Sequence, residues 1–243
     1  MLPGIYDAFQ HWGQQAVWIY SDPHFGDQDL ECGIKNRPSD EEQIANINRH
    51  AGRRDTLIIL GDVGDIECVR RLRAAHKVLI MGNHDSGATK YKREKVEMVF
   101  PIVDFTYEQV KDVANKLYPN WKVSITKSNK ITSNGVIELW VLDADNMLFD
   151  EVYEGALIIG EKLILSHEPV DIPWAHNIHG HDHAGRVRVG HTNVCSDVIG
   201  YKPINFNQWL KEGHTARIQT IHRETIDNAT KRKQKRGGKK IGK

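Results

Sequence analysis

The sequence predicts an α/β fold with parallel strands, and three observations support this. Between Ala16 and Asp85, short apolar runs rich in β-forming residues alternate with a segment of helical periodicity. Asp, Asn and His residues directly follow most of the apolar runs. Of the 243 residues, 40% are hydrophobic, which is enough for one substantial domain with a buried core.

The amino-terminal part of the predicted sheet consists of three buried strands, at residues 16–20, 56–60 and 77–81. A helix is predicted to begin at Ser39 or Asp40, since either side chain can cap it. A second helix is predicted over residues 66–75. Strand, helix and strand at this spacing favour a β-α-β arrangement with parallel strands.

The rest of the chain is predicted to add shorter elements. Residues 107–117 have helical periodicity, and residues 136–142 form a strong strand candidate. Gly160-Glu161 is predicted to be the turn of a hairpin between strands at residues 157–159 and 162–165. We also predict short strands over residues 177–179, 187–189 and 192–195, and a helix over residues 205–211.

Seven potential metal ligands lie in five short motifs, four of which directly follow an apolar run. The motifs are Asp22-Pro23-His24, Gly61-Asp62, Gly82-Asn83-His84-Asp85, Ser166-His167 and Gly180-His181-Asp182-His183. We therefore expect these side chains at one edge of a sheet. Carboxylates, imidazoles and one amide without a thiolate suit Mn²⁺, Fe²⁺, Zn²⁺ or Mg²⁺, and we favour Mn²⁺.

The two acidic motifs each have an alternative interpretation. Asp22 and His24 are two residues apart on an extended exit from a strand, so they could chelate one ion together; alternatively, Asp22 caps a turn. Asp62 ends a buried run, where a carboxylate is costly unless it meets a cation. Asp65 is an alternative ligand, but we favour a helix-capping role for it.

The asparagine motif is the most specific of the five. Asn83 offers a neutral oxygen ligand, His84 can donate a proton, and Asp85 can fix the tautomer of the imidazole. The alternative is a polar loop capped by the asparagine. Three further histidines after strand ends, His167, His181 and His183, are hard to assign to packing, whereas His176, His179 and His191 are interpreted as structural.

The cysteine content and the lack of long apolar stretches indicate in which compartment we expect the protein. Three widely spaced cysteines, Cys32, Cys68 and Cys195, indicate reduced thiols rather than a disulfide framework or a Cys-type zinc site. The sequence has neither a long apolar stretch nor a secretory leader, so we expect a soluble, cytoplasmic protein without a membrane partner. It predicts no particular oligomeric state.

The charge is distributed unevenly along the chain. Residues 231–243 carry eight basic side chains and no acidic one, whereas elsewhere 25 basic residues face 32 acidic ones. This tail lacks the apolar residues needed for packing, so we expect it to be disordered. It could attract nucleic acid through phosphate contacts, or it could be a solubilising terminus.

The motifs, in this order, resemble those of the calcineurin-like metallophosphoesterase superfamily, from Trp18 to about Phe206. The segments at residues 21–26, 36–38 and 60–63 are similar to those of small, single-domain bacterial and bacteriophage members, although Asp27 stands where many of these have histidine. The resemblance implies two packed β-sheets flanked by helices in four α-β-β-α layers. We expect one domain over residues 1–230, with an insertion at about 104–146.

The resemblance also implies roles for individual residues. Asp22, His24 and His183 would hold a first metal; Asn83, His167 and His181 would hold a second; and Asp62 would bridge both. His84 would act on the leaving group, while a metal-bridging hydroxide hydrolyses a phosphoester. Arg37 could add a bidentate phosphate contact, the alternative being an exposed arginine without a structural role.

The substrate expected from the resemblance is a phosphodiester. The Ser/Thr protein phosphatases of the superfamily carry Asp-Arg-Gly after the second motif and Glu after Asn-His, whereas this chain has Gly64-Asp65-Ile66-Glu67 and Asp85. This disfavours a phosphoprotein. The basic tail favours nucleic acid or nucleotides, and the alternatives are a phosphomonoesterase acting on a small molecule and a nucleic-acid-binding module that uses the tail.

Overall fold

A computed structural model of the chain describes residues 15–85, 91–99, 106–119, 123–131, 136–160, 162–216, 218 and 221–237. The strands are β1 (Val17–Tyr20), β2 (Thr56–Ile59), β3 (His76–Ile80), β4 (Tyr91–Val99), β5 (Val123–Ile131), β6 (Val136–Met147), β7 (Glu151–Tyr153), β8 (Leu157–Ile159), β9 (Leu163–Leu165), β10 (His176–His179), β11 (His191–Asn193) and β12 (Ile204–Asn205). The helices are α1 (Gln28–Gly33), α2 (Asp40–His50), α3 (Ile66–Arg70), α4 (Tyr107–Leu117), α5 (Phe206–Lys211) and α6 (Ile221–Gly237).

Two mixed sheets form the body of the fold. The first has the order β12-β1-β2-β3-β7, in which only β12 runs antiparallel to its neighbour. The second has the order β11-β10-β9-β8, with β8 antiparallel to β9. The predicted α/β fold with two sheets flanked by helices is therefore confirmed, and so are the parallel β1-β2-β3 arrangement and the β8-β9 hairpin.

The first sheet is buried on both faces, which explains its continuous apolar runs. Ile58 faces the second sheet in one cluster of buried side chains, where it is grouped with Leu165 of β9 and Ile178 of β10. The neighbouring Ile59 points the other way, into a cluster that includes Ile47 of α2 and Val69 of α3. Alternate residues of one strand thus hold the second sheet and the helices in place.

Local sequence determines the helix that precedes β2. Ser39 caps α2 and forms a capping box with Glu42, because each side chain pairs with the other residue's backbone N–H. The predicted start is therefore confirmed. Helix α3 is shorter than predicted, since it ends at Arg70 rather than residue 75. The N–H of Arg71 bonds to the carbonyls of Cys68 and Val69, and the chain then turns to enter β3.

Other predicted elements need correction. Residues 187–189 do not form a strand: Val187 and Val189 are fully solvent-exposed, so these β-branched residues have no sheet to pack against. Beyond the predicted elements, the structure contains α1, β4, β5, β7, β12 and α6. Strand β6 extends to Met147, five residues beyond the predicted end.

A third, antiparallel sheet of order β4-β6-β5 lies within the segment that joins β3 to β7. The insertion predicted at about 104–146 contributes α4, β5 and most of β6 to this unit, while β4 precedes the predicted boundary. Parts of the predicted insertion, such as residues 132–135, are outside the described residues.

Helix α6 differs from the expected disorder of the basic tail over residues 231–237. Lys, Arg and Gln have favourable helix propensities, which explains why a segment without a core can continue a helix that starts at Ile221. The rest of the predicted tail, residues 238–243, lies outside the described residues. Within the described part of the chain, no helix has the length and apolar character needed to cross a membrane.

The packing between the two sheets predicts the stability effect of single substitutions. Ile58 is completely buried between them, so Ile58→Ala should lower the free energy of unfolding by about 2–5 kcal/mol. Chemical denaturation followed by circular dichroism measures this change. Ile158→Ala is the matched control, since Ile158 in β8 is 56% exposed and its truncation should cost less than about 0.5 kcal/mol. Equal losses in both variants would contradict the packing described.

Candidate metal centre

The five motifs meet where β1, β2, β3, β9 and β10 end. Backbone hydrogen bonds fasten their loops together: the N–H of Asp22 donates to the carbonyl of Gly61 at 3.2 Å, and that of His24 donates to the carbonyl of Asp62 at 3.0 Å. The N–H of Gly180 donates to the carbonyl of His167 at 2.9 Å. Both sheets therefore deliver polar side chains to the same place.

Four of the seven candidate ligands have left-handed backbone: Asp22 (φ 55°), His24 (φ 44°), Asp62 (φ 52°) and His181 (φ 64°). This conformation is uncommon outside glycine and costs about 1–3 kcal/mol per residue, so the surrounding structure must hold it. The expectation that Asp22 and His24 converge through an extended strand exit is wrong. They converge because both residues turn.

Glycines let the loops approach closely. A Cβ atom added at Gly180 would lie 2.1 Å from Oδ2 of Asp22, and one added at Gly82 would lie 2.3 Å from Oδ1 of Asp62. Either atom would displace a carboxylate oxygen. The glycines in these two motifs are thus required by the space that the carboxylates occupy.

One group of candidate ligands consists of Asp22, His24 and His183, whose ligand atoms lie within 4.8 Å of one another. Oδ1 of Asp22 is 4.0 Å from Nε2 of His24 and 3.8 Å from Nε2 of His183. Oδ1 of Asp22 and Nε2 of His24 are buried and have no hydrogen-bond partner among the described residues. Because buried polar atoms are nearly always satisfied, this pair fits a cation.

A second group consists of Asp62, His167 and His181, again within 4.8 Å. Nε2 of His167 lies 3.3 Å from Oδ2 of Asp62 and 3.2 Å from Nδ1 of His181. Oδ1 of Asn83 lies 2.9 Å from the same nitrogen. Oδ2 of Asp62 is also only 3.6 Å from Nε2 of His24, so this oxygen lies between the two groups.

The pKa values of His167 and Asp62 in the second group depend on burial and on the carboxylates nearby. Burial lowers the pKa of His167, but the hydrogen bond to Asp62 and the charge of Asp22 outweigh it and raise the pKa to about 9. Burial opposes ionisation of Asp62, yet hydrogen bonds from His167 and from the backbone of His84 keep its pKa below the ordinary value. Buried carboxylates here therefore require positive charge nearby, which a proton or a metal ion can supply.

In the first group, the neutral form of His24, which can bind a metal, is favoured, whereas a hydrogen bond to Asp197 raises the pKa of His183. Burial lowers the pKa of His24, despite the opposing charges of Asp62 and Asp22. A neutral imidazole keeps a lone pair for a cation. Oxygen and nitrogen donors in both groups, with the Cys195 thiol outside them, fit the expected Mn²⁺, Fe²⁺, Zn²⁺ or Mg²⁺.

Asn83 and His84 lie at the exposed side of the centre. The backbone N–H of His84 donates to Oδ1 of Asp62 at 2.9 Å, and its ring centroid lies 5.8 Å from that of His24. His84 is thus fixed through its backbone, while its imidazole faces solvent.

From the sequence we expect Asp85 to contact the imidazole of His84, but its carboxylate has other partners. Its carboxylate accepts hydrogen bonds from the backbone N–H groups of Asp62, Gly82 and Val63 at 2.9–3.1 Å. Burial raises its pKa, and these hydrogen bonds oppose the rise. Asp85 therefore fastens the loops after β2 and β3 to each other.

Arg37 is buried, contrary to both interpretations drawn from the sequence. Its side chain is 2% exposed, and Nη1 donates to both carboxylate oxygens of Asp197 at 2.9 Å. Nη2 donates to the carbonyls of Pro23 at 2.7 Å and Asp22 at 3.4 Å. The expected phosphate contact is therefore wrong, because these partners already use the guanidinium group.

Two nearby aspartates are helix caps. Asp65 caps α3 by accepting from the N–H of Glu67, which confirms the capping role favoured for it. Asp27 caps α1 by accepting from the N–H of Leu30. Its other oxygen lies 3.7 Å from Nδ1 of His24.

Asp197 was missed by the sequence analysis. It lies on the loop after β11, 14 residues beyond His183 and far along the chain from Asp22, His24 and Asp62. Burial opposes its ionisation, but hydrogen bonds from His183 and Tyr201 and the charge of Arg37 lower its pKa to about 2. Its one signal in the sequence is an acidic residue two positions after the apolar Val194-Cys195 pair, a pattern too common to identify it.

The histidines interpreted as structural lie away from the ligand groups. His176 is 6% exposed, bonds to Oγ1 of Thr192 at 2.8 Å and contacts the ring of Trp209. His179 is buried against the ring of His191. Burial, together with the nearby imidazoles His214, His191 and His179, lowers the pKa of His176 to about 4.

The low pKa of His176 predicts a loss of stability in acid. Its pKa is about 4 in the folded state and near 6.5 in the unfolded chain, so the unfolded state binds more protons between these values. The contribution of neutral His176 to the free energy of unfolding is fully present above pH 6.5. It falls by up to about 3 kcal/mol as the pH drops towards 4. Melting temperatures of wild type and His176→Gln over this range test it. Parallel profiles for the two proteins would refute the assignment.

Comparison with known protein families identifies the family of this chain. The calcineurin-like phosphoesterase family model matches residues 16–188, which contain all five motifs. A search of curated proteins gives no significant match. Among solved structures, a protein of unknown function from Aquifex aeolicus is similar, with 20% identity, 81% of this chain and 98% of that chain covered, and a TM-score of 0.47. The family match spans most of the chain, and this protein belongs to the calcineurin-like phosphoesterase family, whose members are phosphoric ester hydrolases.

Proposed function

We propose that this phosphoesterase hydrolyses phosphodiester bonds in nucleic acids or nucleotides with two divalent metal ions, Mn²⁺ being favoured. One observation supports the two-metal proposal: Oδ2 of Asp62, which belongs to the second group, lies 3.3 Å from Nε2 of His167 and also 3.6 Å from Nε2 of His24 in the first group. A single carboxylate oxygen between two sets of donors is what a shared ligand requires.

The proposed ligands follow the two groups. Asp22, His24 and His183 hold one ion, while Asn83, His167 and His181 hold the other. Asp62 contributes to both. The unpartnered atoms Oδ1 of Asp22 and Nε2 of His24 support the first set, and the convergence of three side chains on Nε2 of His167 supports the second.

The charge of the centre suits an anionic substrate. Two divalent ions bound here would offset the carboxylates Asp22 and Asp62, attract a phosphoryl group and make a water molecule acidic enough to attack phosphorus near neutral pH. Asn83 and His84 are exposed, which supports a contact with the phosphate. His84 would donate a proton to the departing oxygen, which is the task of a general acid.

The preference for nucleic acid rests on α6. Lys231, Arg232 and Lys233 are exposed on this helix, in a segment of eight basic residues, whereas acidic residues outnumber basic ones elsewhere in the chain. Regularly spaced cations on a helix can neutralise phosphates and release counterions. The same helix also favours a second candidate, a nucleic-acid-binding role without catalysis, which the experiments below distinguish.

Replacing the shared carboxylate should abolish activity. Asp62→Asn removes the negative charge between the two ligand groups, so Mn²⁺-dependent hydrolysis of bis-p-nitrophenyl phosphate should fall at least about a hundredfold, as expected for loss of several kcal/mol of metal-dependent stabilisation. A panel of monoester, diester, cyclic nucleotide, and single- and double-stranded nucleic acid identifies the substrate class. Preference for the monoester would favour a small-molecule phosphomonoesterase.

Asp65→Asn is the matched control for this substitution. Asp65 lies three residues away in the same loop and caps α3, and asparagine is an equally good cap. Its hydrolytic rate should stay within about threefold of wild type. If Asp62→Asn retains full activity on the whole panel, Asp62 is not the shared ligand.

Deleting residues 230–243 should separate catalysis from nucleic-acid binding. Turnover of bis-p-nitrophenyl phosphate should remain unchanged, because the ligand groups lie outside the deleted segment. Affinity for DNA and RNA should fall, and the slope of log K against log salt should become shallower by about 0.9 for each lost phosphate contact on a duplex. Fluorescence anisotropy over a salt series measures both. A truncated protein that binds nucleic acid as wild type does would exclude the tail as the binding element.

A further inference from the structure

A buried network lies behind the first ligand group. Its centre is Asp197, whose side chain is 6% exposed. Oδ2 pairs with Nδ1 of His183 at 2.5 Å, and Oδ1 accepts a hydrogen bond from the hydroxyl of Tyr201. Nη1 of Arg37 donates to both oxygens at 2.9 Å. One carboxylate thus joins His183 and Tyr201, which lie 14 and 4 residues away along the chain, to Arg37, which lies 160 residues away.

The network orients His183. Since Nδ1 of this imidazole pairs with Asp197, the ring turns Nε2 towards the metal centre, where it lies 3.8 Å from Oδ1 of Asp22. Histidines that bind metals usually donate their other N–H to a carboxylate or carbonyl, which fixes the tautomer and increases the basicity of the ligating nitrogen. Asp197 is in the position of such a partner.

Arg37 extends the network to the opposite side of the same ligand group. Its second nitrogen, Nη2, donates to the carbonyl groups of Asp22 and Pro23, which precede His24. The guanidinium therefore holds the first motif and Asp197 at a fixed separation. A buried arginine is costly unless paired, so this arrangement constrains the centre as well as satisfying the charge.

We propose that Asp197, held by Arg37 and Tyr201, is a positioning residue: it accepts a hydrogen bond from Nδ1–H of His183 and keeps Nε2 directed at the metal ion that Asp22 and His24 would also bind. The proposal rests on the proposed two-metal site. If Asp197 is a positioning residue, it is not a metal ligand in the group that it forms with His183 and Cys195.

Two observations argue against that ligand role. The carboxylate of Asp197 already accepts hydrogen bonds from Arg37 and Tyr201 and pairs with His183, so a cation there would displace a buried guanidinium. Nδ1 of His183, the nitrogen nearest to Cys195 at 3.4 Å, is engaged with Asp197. Asp197 therefore acts through His183.

Mn²⁺ binding to the full-length chain tests the proposal without any measurement of hydrolysis. Free Mn²⁺ is followed by electron paramagnetic resonance while wild type and Asp197→Asn are titrated. Wild type should bind two ions. In Asp197→Asn one binding step should weaken about 10–100-fold, the usual effect of losing such a partner, while the other changes less than about threefold.

Asp171→Asn is the matched control, because Asp171 forms a 2.8 Å pair with Nε2 of His191, away from both ligand groups. It should leave both binding steps unchanged. Arg37→Lys keeps a cation but loses the fork that joins Asp197 to the first motif, and should also weaken one step selectively. It serves as the second variant should Asp197→Asn not fold.

Three results would overturn the proposal. Asp197→Asn could lower the melting temperature and leave both binding steps intact, which would make its role structural only. Both steps could weaken equally, which would mean that Asp197 does not act through His183. Arg37→Lys, if it alone folds, could bind as wild type does. Wild type that binds two ions but hydrolyses nothing would refute the proposed activity and leave this proposal standing.

Discussion

Two carboxylates buried where two sheets meet are the constraint on which the rest of this structure depends. Asp22 and Asp62 are 0% and 2% exposed, and each lies at the end of an apolar strand. A carboxylate without water must be compensated by hydrogen bonds or by cations. Backbone N–H groups and imidazoles supply part of this compensation, and Oδ1 of Asp22 still has no partner among the described residues. In the proposed function, metal ions supply the remaining positive charge that the two carboxylates require.

Backbone strain and close packing follow from the same constraint. Left-handed residues bring the side chains together over short loops, and the missing Cβ atoms of Gly82 and Gly180 leave room for the carboxylate oxygens. Such conformations persist only when many contacts hold them. Asp85 provides three of these contacts, and Arg37 provides others from the opposite side. These contacts hold the loops in the conformation that brings the candidate ligands together.

Each of the two sheets supplies part of the candidate metal centre. The first sheet supplies Asp22, His24, Asp62 and Asn83 from its parallel strands, and the second supplies His167, His181 and His183. Neither sheet alone brings together all members of either ligand group. The apolar cluster between the sheets, which includes Ile58, thus fixes the distance between the two sets of candidate ligands as well as stabilising the fold.

The sequence by itself determined the strands that carry the motifs, the start of α2, the capping role of Asp65 and the candidate ligands, because these depend on local periodicity and on residue chemistry near strand ends. Tertiary structure decided the rest. The buried role of Arg37, the backbone contacts of Asp85 and the place of Asp197 depend on partners up to 160 residues away, and a one-dimensional pattern does not specify such partners. The strand predicted at residues 187–189 is absent from the structure for a related reason: these residues are exposed, and β-branched residues form strands only where a neighbouring strand pairs with them.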